Sequence, residues 1–202
     1  MNLERYKGLI FDMDGTLIDT MPAHIEAWRA TAKFYDFPFE ATWLNSLGGM
    51  PSFKIVGEIN QKFGIDLIPQ DVAEYKMKAF AAMDEKSDLI PDTFAVFQRF
   101  LGSKKLAIGT GSQRQSAEKL LTRVGVLDKL DAVVTATDVE NHKPHPETFL
   151  RACELIGLTP NDCVVFEDTE LGKQAAHAGG MDCIMVTEEG LKFFPLPSRY
   201  RQ

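Results

Sequence analysis

The sequence predicts an α/β fold: a doubly wound, parallel five-stranded sheet with a small α-helical domain inserted into it. Three observations carry this. Five short apolar runs (8–13, 105–110, 131–136, 163–168 and 182–187) are continuous rather than alternating, as in strands covered by helices on both faces. Amphipathic stretches separate the last four runs, the alternation of βαβ units with right-handed crossovers. About 90 residues of mostly helical pattern separate the first run from the second.

The first strand is GLIFDM (8–13). After it, PAHIEAWRATAKFYDF (22–37), SFKIVGEINQKFG (52–64) and PQDVAEYKMKAFAAM (69–83) carry apolar residues at helical spacing, with turns at Gly48-Gly49 and Pro69. Residues 18–84 therefore read as a helical cap domain, with Trp28 and Trp43 in its interior, and residues 1–17 and 85–202 as the core domain. Strands KLAIGT, DAVVTA, CVVFED and DCIMVT then alternate with helices over 116–125, 146–157 and 170–180, which end in or near glycine. The tail from 190 to 202 holds two prolines and reads as irregular chain along the core surface.

A chain of 202 residues with 45% hydrophobic content can bury a substantial core. Its net charge of -7 gives no electrostatic reason to expect a nucleic-acid or anionic-membrane partner, so an anionic ligand needs local cations. No apolar run approaches the roughly 20 residues that span a bilayer, and the N-terminus carries no apolar signal core. Cys153, Cys163 and Cys183 are widely spaced within apolar segments and read as buried thiols in a reducing compartment. The expectation is a cytoplasmic protein, a monomer or weak dimer.

In a doubly wound sheet, ligands bind where the strands' carboxyl ends open into loops. Strand one delivers Asp12 and Asp14 there, strand two Thr110, Gly111 and Ser112, the loop after strand three Lys143, and strand four Glu167 and Asp168. Clustered carboxylates repel one another, and a hard divalent cation such as Mg²⁺ removes the conflict while keeping positions for water and phosphate. Asp12 and Asp168 would supply oxygens to that ion. With metal and lysine neutralising a phosphoryl group, an aspartate becomes a competent nucleophile. Lys143, Thr110 and Gly111 would hold the equatorial oxygens, and Asp14 would protonate the leaving alkoxide and then activate water.

The four motifs, DMDGT (12–16), TGS (110–112), KP (143–144) and ED (167–168), in this order and with a helical insertion after the first, resemble those of the haloacid dehalogenase superfamily. The insertion point and DTMPAHIEAW (19–28) resemble its β-phosphoglucomutase-like branch. The resemblance implies a Rossmann-like core and a Mg²⁺-dependent phosphoric monoester hydrolase that works through an aspartyl-phosphate. It assigns Asp12 as nucleophile and metal ligand, Asp14 as acid/base and backbone-carbonyl metal ligand, and Asp168 as metal ligand. Glu167 becomes outer support of the metal site, and Thr110 and Lys143 hold the phosphoryl group. Members that remove halide lack the second aspartate, so Asp14 argues for phosphoryl transfer.

His24, one turn beyond Asp19-Thr20, corresponds to a substrate-facing histidine of this branch, whereas His142, His145 and His177 read as surface residues. The loop LGGMPSFK (47–54) carries glycines and a serine where a mutase would need cations for a second phosphate. Ser52 and Lys54 are its substrate-binding candidates, beside Gly111 and Ser112. The expected substrate is a small sugar phosphate resembling fructose 1-phosphate. A β-phosphoglucomutase-type phosphotransferase is the alternative, and a non-catalytic phosphate-binding or regulatory module the remote one.

Overall fold

A computed structural model describes residues 2–83 and 88–198. The sheet has the order β3-β2-β1-β4-β5-β6. Its strands are β1 (Gly8–Phe11), β2 (Lys105–Gly109), β3 (Ala132–Val134), β4 (Cys163–Glu167), β5 (Asp182–Thr187) and β6 (Gly190–Phe194). The first five run parallel, with β1 central between β2 and β4. The sixth is a correction to the expected count. Residues 190–194 of the tail form a strand antiparallel to β5, because the turn after Thr187 folds Leu191 and Phe193 back onto Val186 and Ile184. The expected boundary between residues 84 and 85, and the tail from 199 to 202, lie outside the described residues.

Continuous apolar strands have two buried faces, and successive side chains of β1 and β4 divide between them. Leu9, Phe11, Val164 and Phe166 pack with Phe97, Phe100, Leu120 and Leu121 from α5 (Pro91–Phe100) and α6 (Arg114–Arg123). Ile10, Cys163 and Val165 pack with Phe149, Ala152, Ala175 and Ala176 from α7 (Glu147–Leu155) and α8 (Glu170–Ala178). All three cysteines are free thiols buried on that second face. No helix among the described residues is long and apolar enough to cross a membrane.

The gap after β1 holds α1 (Met21–Tyr35), α2 (Ala41–Ser46), α3 (Ser52–Phe63) and α4 (Pro69–Met83). Their apolar stripes enclose a separate core around Trp28, Leu44, Val56, Ile59 and Val72, with Trp43 packed against it. Two connectors join this helical block to the sheet side by side. Asp19 donates its N–H to the Asp88 carbonyl and Ile90 donates to that of Leu17, both at 2.9 Å.

Two histidines depart from expectation. His177 is buried in α8, with Nε2 3.3 Å from the Phe194 carbonyl of β6, because the β6 hairpin covers that helix. His142 is half-buried, because the helical block packs Phe53 against its ring. His145 is exposed.

Candidate active site

All the motif residues gather at the carboxyl edge of the sheet. Asp12 follows β1 directly, and its N–H donates to the Phe166 carbonyl of β4 at 2.9 Å, so the ladder itself fixes its position. The chain then turns through Gly15 (φ 79), where a Cβ would stand 2.4 Å from Asp168 Oδ2. Leu17 and Ile18 both donate to the Met13 carbonyl, closing the turn. From α5, Thr93 Oγ1 donates to the Thr16 carbonyl at 2.6 Å and holds the loop from behind.

Lys143 lies beneath the site, 2% exposed, with Nζ donating to Asp12 Oδ1 at 2.5 Å and Glu167 Oε1 at 2.7 Å. Burial lowers the ammonium's pKa, but the two carboxylates outweigh it and hold Lys143 above its ordinary value, so it is charged. The other Glu167 oxygen, Oε2, accepts from Thr169 N and Oγ1 at 2.7 and 2.8 Å. Glu167 thus has both oxygens engaged. Its work is to anchor Lys143.

Asp12, Glu167 and Asp168 each bring a carboxylate oxygen within 4.8 Å of the others. One ammonium offsets three acids. Burial and like-charge neighbours raise Asp12 well above the usual carboxylate range, although Lys143 opposes them, and burial followed by Glu167 pushes Asp168 up to about 7. This surplus of negative charge is what a hard divalent cation relieves. With Glu167 occupied, Asp12 and Asp168 are the carboxylates able to hold one. The donor set fits Mg²⁺.

The Asp14 carboxylate points elsewhere. Its Oδ2 accepts from Ser112 Oγ at 2.7 Å and, at 3.5 Å, from Thr110 Oγ1, and its Oδ1 accepts from Thr20 Oγ1 at 2.7 Å. His24 Nε2 lies 3.3 Å from the same Oδ1. Burial pushes Asp14 up, but His24, Ser112 and Thr20 outweigh it and hold the carboxyl below its usual range. Behind His24, Lys76 Nζ approaches Nδ1 at 2.6 Å. As an ammonium Lys76 can only donate there, and in that state a neutral ring carries its proton on Nε2, facing Asp14.

Lys76 belongs to none of the sequence motifs. It is 2% exposed on α4 and lies 5.5 Å from the Trp28 ring, and burial lowers it to about 7 despite the pull of Asp14. The signal was its spacing: Val72, Lys76 and Phe80 form one buried stripe at every fourth residue, so the lysine replaces a core residue.

Between sheet and helical block lies a cavity of about 230 Å³. Asp12, Asp14, Thr110, Gly111 and Ser112 line it from the sheet, and His24, Trp28, Ser52, Lys76 and Met77 from the helices. Ser52 Oγ reaches Met77 Sδ at 3.7 Å. Lys54 is not among the lining residues; it lies near His142. The block sits tightly on the sheet, since a Cβ on Gly111 would stand 2.1 Å from the Gly49 carbonyl oxygen.

A parallel sheet with two acids after its first strand, a hydroxyl after the second, a lysine after the third and two acids after the fourth defines a class, and the family comparison agrees. The model of the haloacid dehalogenase-like hydrolases matches residues 9–186, and the chain belongs to that family. Over 183 residues it is 41% identical to the fructose-1-phosphate phosphatase YqaB of Escherichia coli, covering 91% of this chain and 97% of that one. It is 30% identical to the β-phosphoglucomutase of Bacillus subtilis, over 89% of this chain and 83% of the other. Among solved structures, the β-phosphoglucomutase of Clostridium difficile shares the fold with a TM-score of 0.81, at 24% identity, over 91% of this chain and 85% of its own.

Proposed function

We propose that the protein is a Mg²⁺-dependent phosphatase of small sugar phosphates such as fructose 1-phosphate. The observation that carries this reading is the Lys143 bridge between Asp12 and Glu167, whose Asp12 end lines the same cavity as Asp14. The similarity to YqaB supports the sugar-phosphate class.

In this reading Asp12 attacks phosphorus and the bond from phosphorus to the sugar oxygen breaks; Asp14, held ionised in the resting site, takes up a proton as the anionic phosphate binds beside it and delivers that proton to the sugar oxygen. The sugar leaves and Asp12 carries the phosphoryl group. Asp14, ionised again, takes a proton from water, whose oxygen attacks phosphorus as the bond from phosphorus to Asp12 breaks, freeing inorganic phosphate and restoring the Asp12 carboxylate. Ser112, Thr20 and His24 orient Asp14 for both transfers. Lys143 and Thr110 hold the phosphoryl oxygens, while Glu167 keeps Lys143 in place. A bound Mg²⁺, held by Asp12, Asp168 and the Asp14 backbone carbonyl, would supply positive charge to the phosphoryl group. The helices of residues 18–84 act as the cap, excluding bulk water and contacting the sugar through His24, Ser52 and Lys76.

The cavity wall favours hydrolysis over mutase chemistry. Among the described residues that line it, Lys76 is the one lysine or arginine, and it already engages His24. Retaining a second phosphate needs several charge-assisted contacts. A phosphate-release panel of hexose, pentose and triose phosphates, with and without Mg²⁺, tests the reading. Hydrolysis of fructose 1-phosphate, and conversion of β-glucose 1-phosphate to glucose and phosphate, are expected. Accumulation of glucose 6-phosphate from β-glucose 1-phosphate and a trace of the 1,6-bisphosphate would replace the phosphatase by a mutase.

A further inference from the structure

The helical block touches the loop between β3 and α7 along one seam. There Gly49 lies against the stem of Lys143, with room for a Cβ only at 3.3 Å from its Cδ, and Phe53 meets the His142 ring edge-on at 5.9 Å and 79°. Within this seam is an anomaly. His142 Nδ1 is buried and has no hydrogen-bond partner among the described residues. A buried polar atom in that condition weakens whatever contact buries it, because its bond to water is given up without replacement.

We propose that His142 is the release spring of the closed site: its uncompensated imidazole, pressed on Phe53 beside Lys54, makes closure weaker than shape alone would, and weaker still once the ring is charged. The α3 end of the cap then lifts readily after each turnover. The proposal rests on reading the helical block as a lid over a phosphatase site. The charged groups that act on the ring are Lys54 from α3 and Glu147 from α7. Lys143, next in the chain, directs its ammonium away to Asp12 and Glu167. Burial first, and Lys54 second, hold His142 below its ordinary value of 6.5, with Glu147 pulling the other way. A base whose pKa is lowered by closure is, by linkage, one whose protonation favours opening. His142 is separated from the reacting groups by Lys143, so its effect is on the lid and not on the chemistry.

The test is the cap-to-core distance, read by energy transfer between dyes on Gln61→Cys of α3 and Lys129→Cys of the core, both exposed positions in a chain whose own thiols are buried. Without metal or substrate, the wild type should be closed at pH 8 and open with a midpoint below 6.5. His142→Leu should raise the closed-to-open ratio about tenfold and abolish the transition, since the orphaned nitrogen is gone. His142→Asn should abolish the transition as well, because it cannot titrate, and guards against a folding defect in the leucine variant. Lys54→Met should shrink the transition by removing the like charge. A wild-type distance that stays constant from pH 8 to 5.5, or a His142→Leu protein that opens as the wild type does, overturns the proposal. Phosphate release by the unlabelled wild type separates the two claims. Turnover without pH-dependent opening refutes the spring alone, whereas opening without turnover refutes the phosphatase reading alone.

Discussion

Gly172 backs directly onto Glu167: a Cβ added to the glycine would stand 1.9 Å from the glutamate's Oε1. Thr169 ties the two together, because its Oγ1 donates to Glu167 Oε2 at 2.8 Å and accepts from Gly172 N at 3.1 Å as the cap of α8. Gly172→Ala must therefore displace Glu167 and, with it, Lys143. A loss of at least about a hundredfold in phosphate release and of about 1–3 kcal/mol in stability is expected. Gly57→Ala, where a Cβ meets nothing within 4 Å, should instead stabilise α3 by about 1 kcal/mol. Thermal melts and phosphate release on both variants check this, and an unaffected Gly172→Ala enzyme would contradict it.

Asp12→Asn should abolish turnover by several orders of magnitude, since an amide of nearly the same shape cannot accept the phosphoryl group. Asp14→Asn should be severe on sugar phosphates and milder on p-nitrophenyl phosphate, whose leaving group needs little protonation. Phosphate release on both substrates decides it. Equal losses on the two would remove Asp14 from the acid role.

The acid cluster gives the metal-free protein a pH signature. Asp12 and Asp168 are both raised by burial, Asp168 to about 7, so the folded state binds more protons than the unfolded chain above the ordinary carboxylate range. The destabilising effect of Asp168 is complete above about pH 7 and is relieved as pH falls from there toward the ordinary carboxylate range. In chelator, the melting temperature of the Lys76→Met protein, which lacks the opposing buried lysine, should rise from pH 8 to pH 6. Millimolar Mg²⁺ should raise it most at pH 8 and flatten that slope. The same slope with and without Mg²⁺, in scanning calorimetry, would argue against metal at these carboxylates.

Lys76 shows the opposite sign. Its pKa is lowered to about 7, so between there and its ordinary 10.5 the unfolded chain binds the extra proton and stability rises with pH. Lys76→Met should remove that rise and stabilise the protein by about 1–4 kcal/mol near pH 7. It should also increase KM for sugar phosphates more than for p-nitrophenyl phosphate. Denaturant melts across this range, with steady-state kinetics, test both halves. A less stable Lys76→Met protein would refute the desolvation argument.

Much of the fold was legible because buried parallel strands are continuous apolar runs, and the motif residues were legible because each follows such a run. What escaped did so for physical reasons. A lysine on a helix ordinarily marks a solvated face, which disguises Lys76 in the sequence although its spacing with Val72 and Phe80 places it inside. Gly172 carries no side chain to notice, and only the approach of Glu167 gives it meaning. Phe193 and Phe194 stand just before prolines, a context that reads as irregular chain, yet pairing with β5 makes them a strand. The helices α2 and α5 were not read from the sequence. α2 is a six-residue helix, and α5 sits between the long insertion and β2.

Asp182, at the start of β5, accepts from Tyr6 and Arg5 on one oxygen and from the Leu196 N–H on the other, which fastens the segment after β6 to the opposite end of the chain. The hairpin is thereby held against the sheet rim. Lys192 is exposed on β6, and Pro195 and Pro197 follow with no N–H to offer, so an incoming strand finds few donors there. At the far rim β3 is three residues long, too short to template a partner. Both open sides of a strongly apolar sheet are blunted in this way, and the hairpin serves colloidal stability: stripped of it, β5 would present a bare parallel edge to every neighbouring molecule.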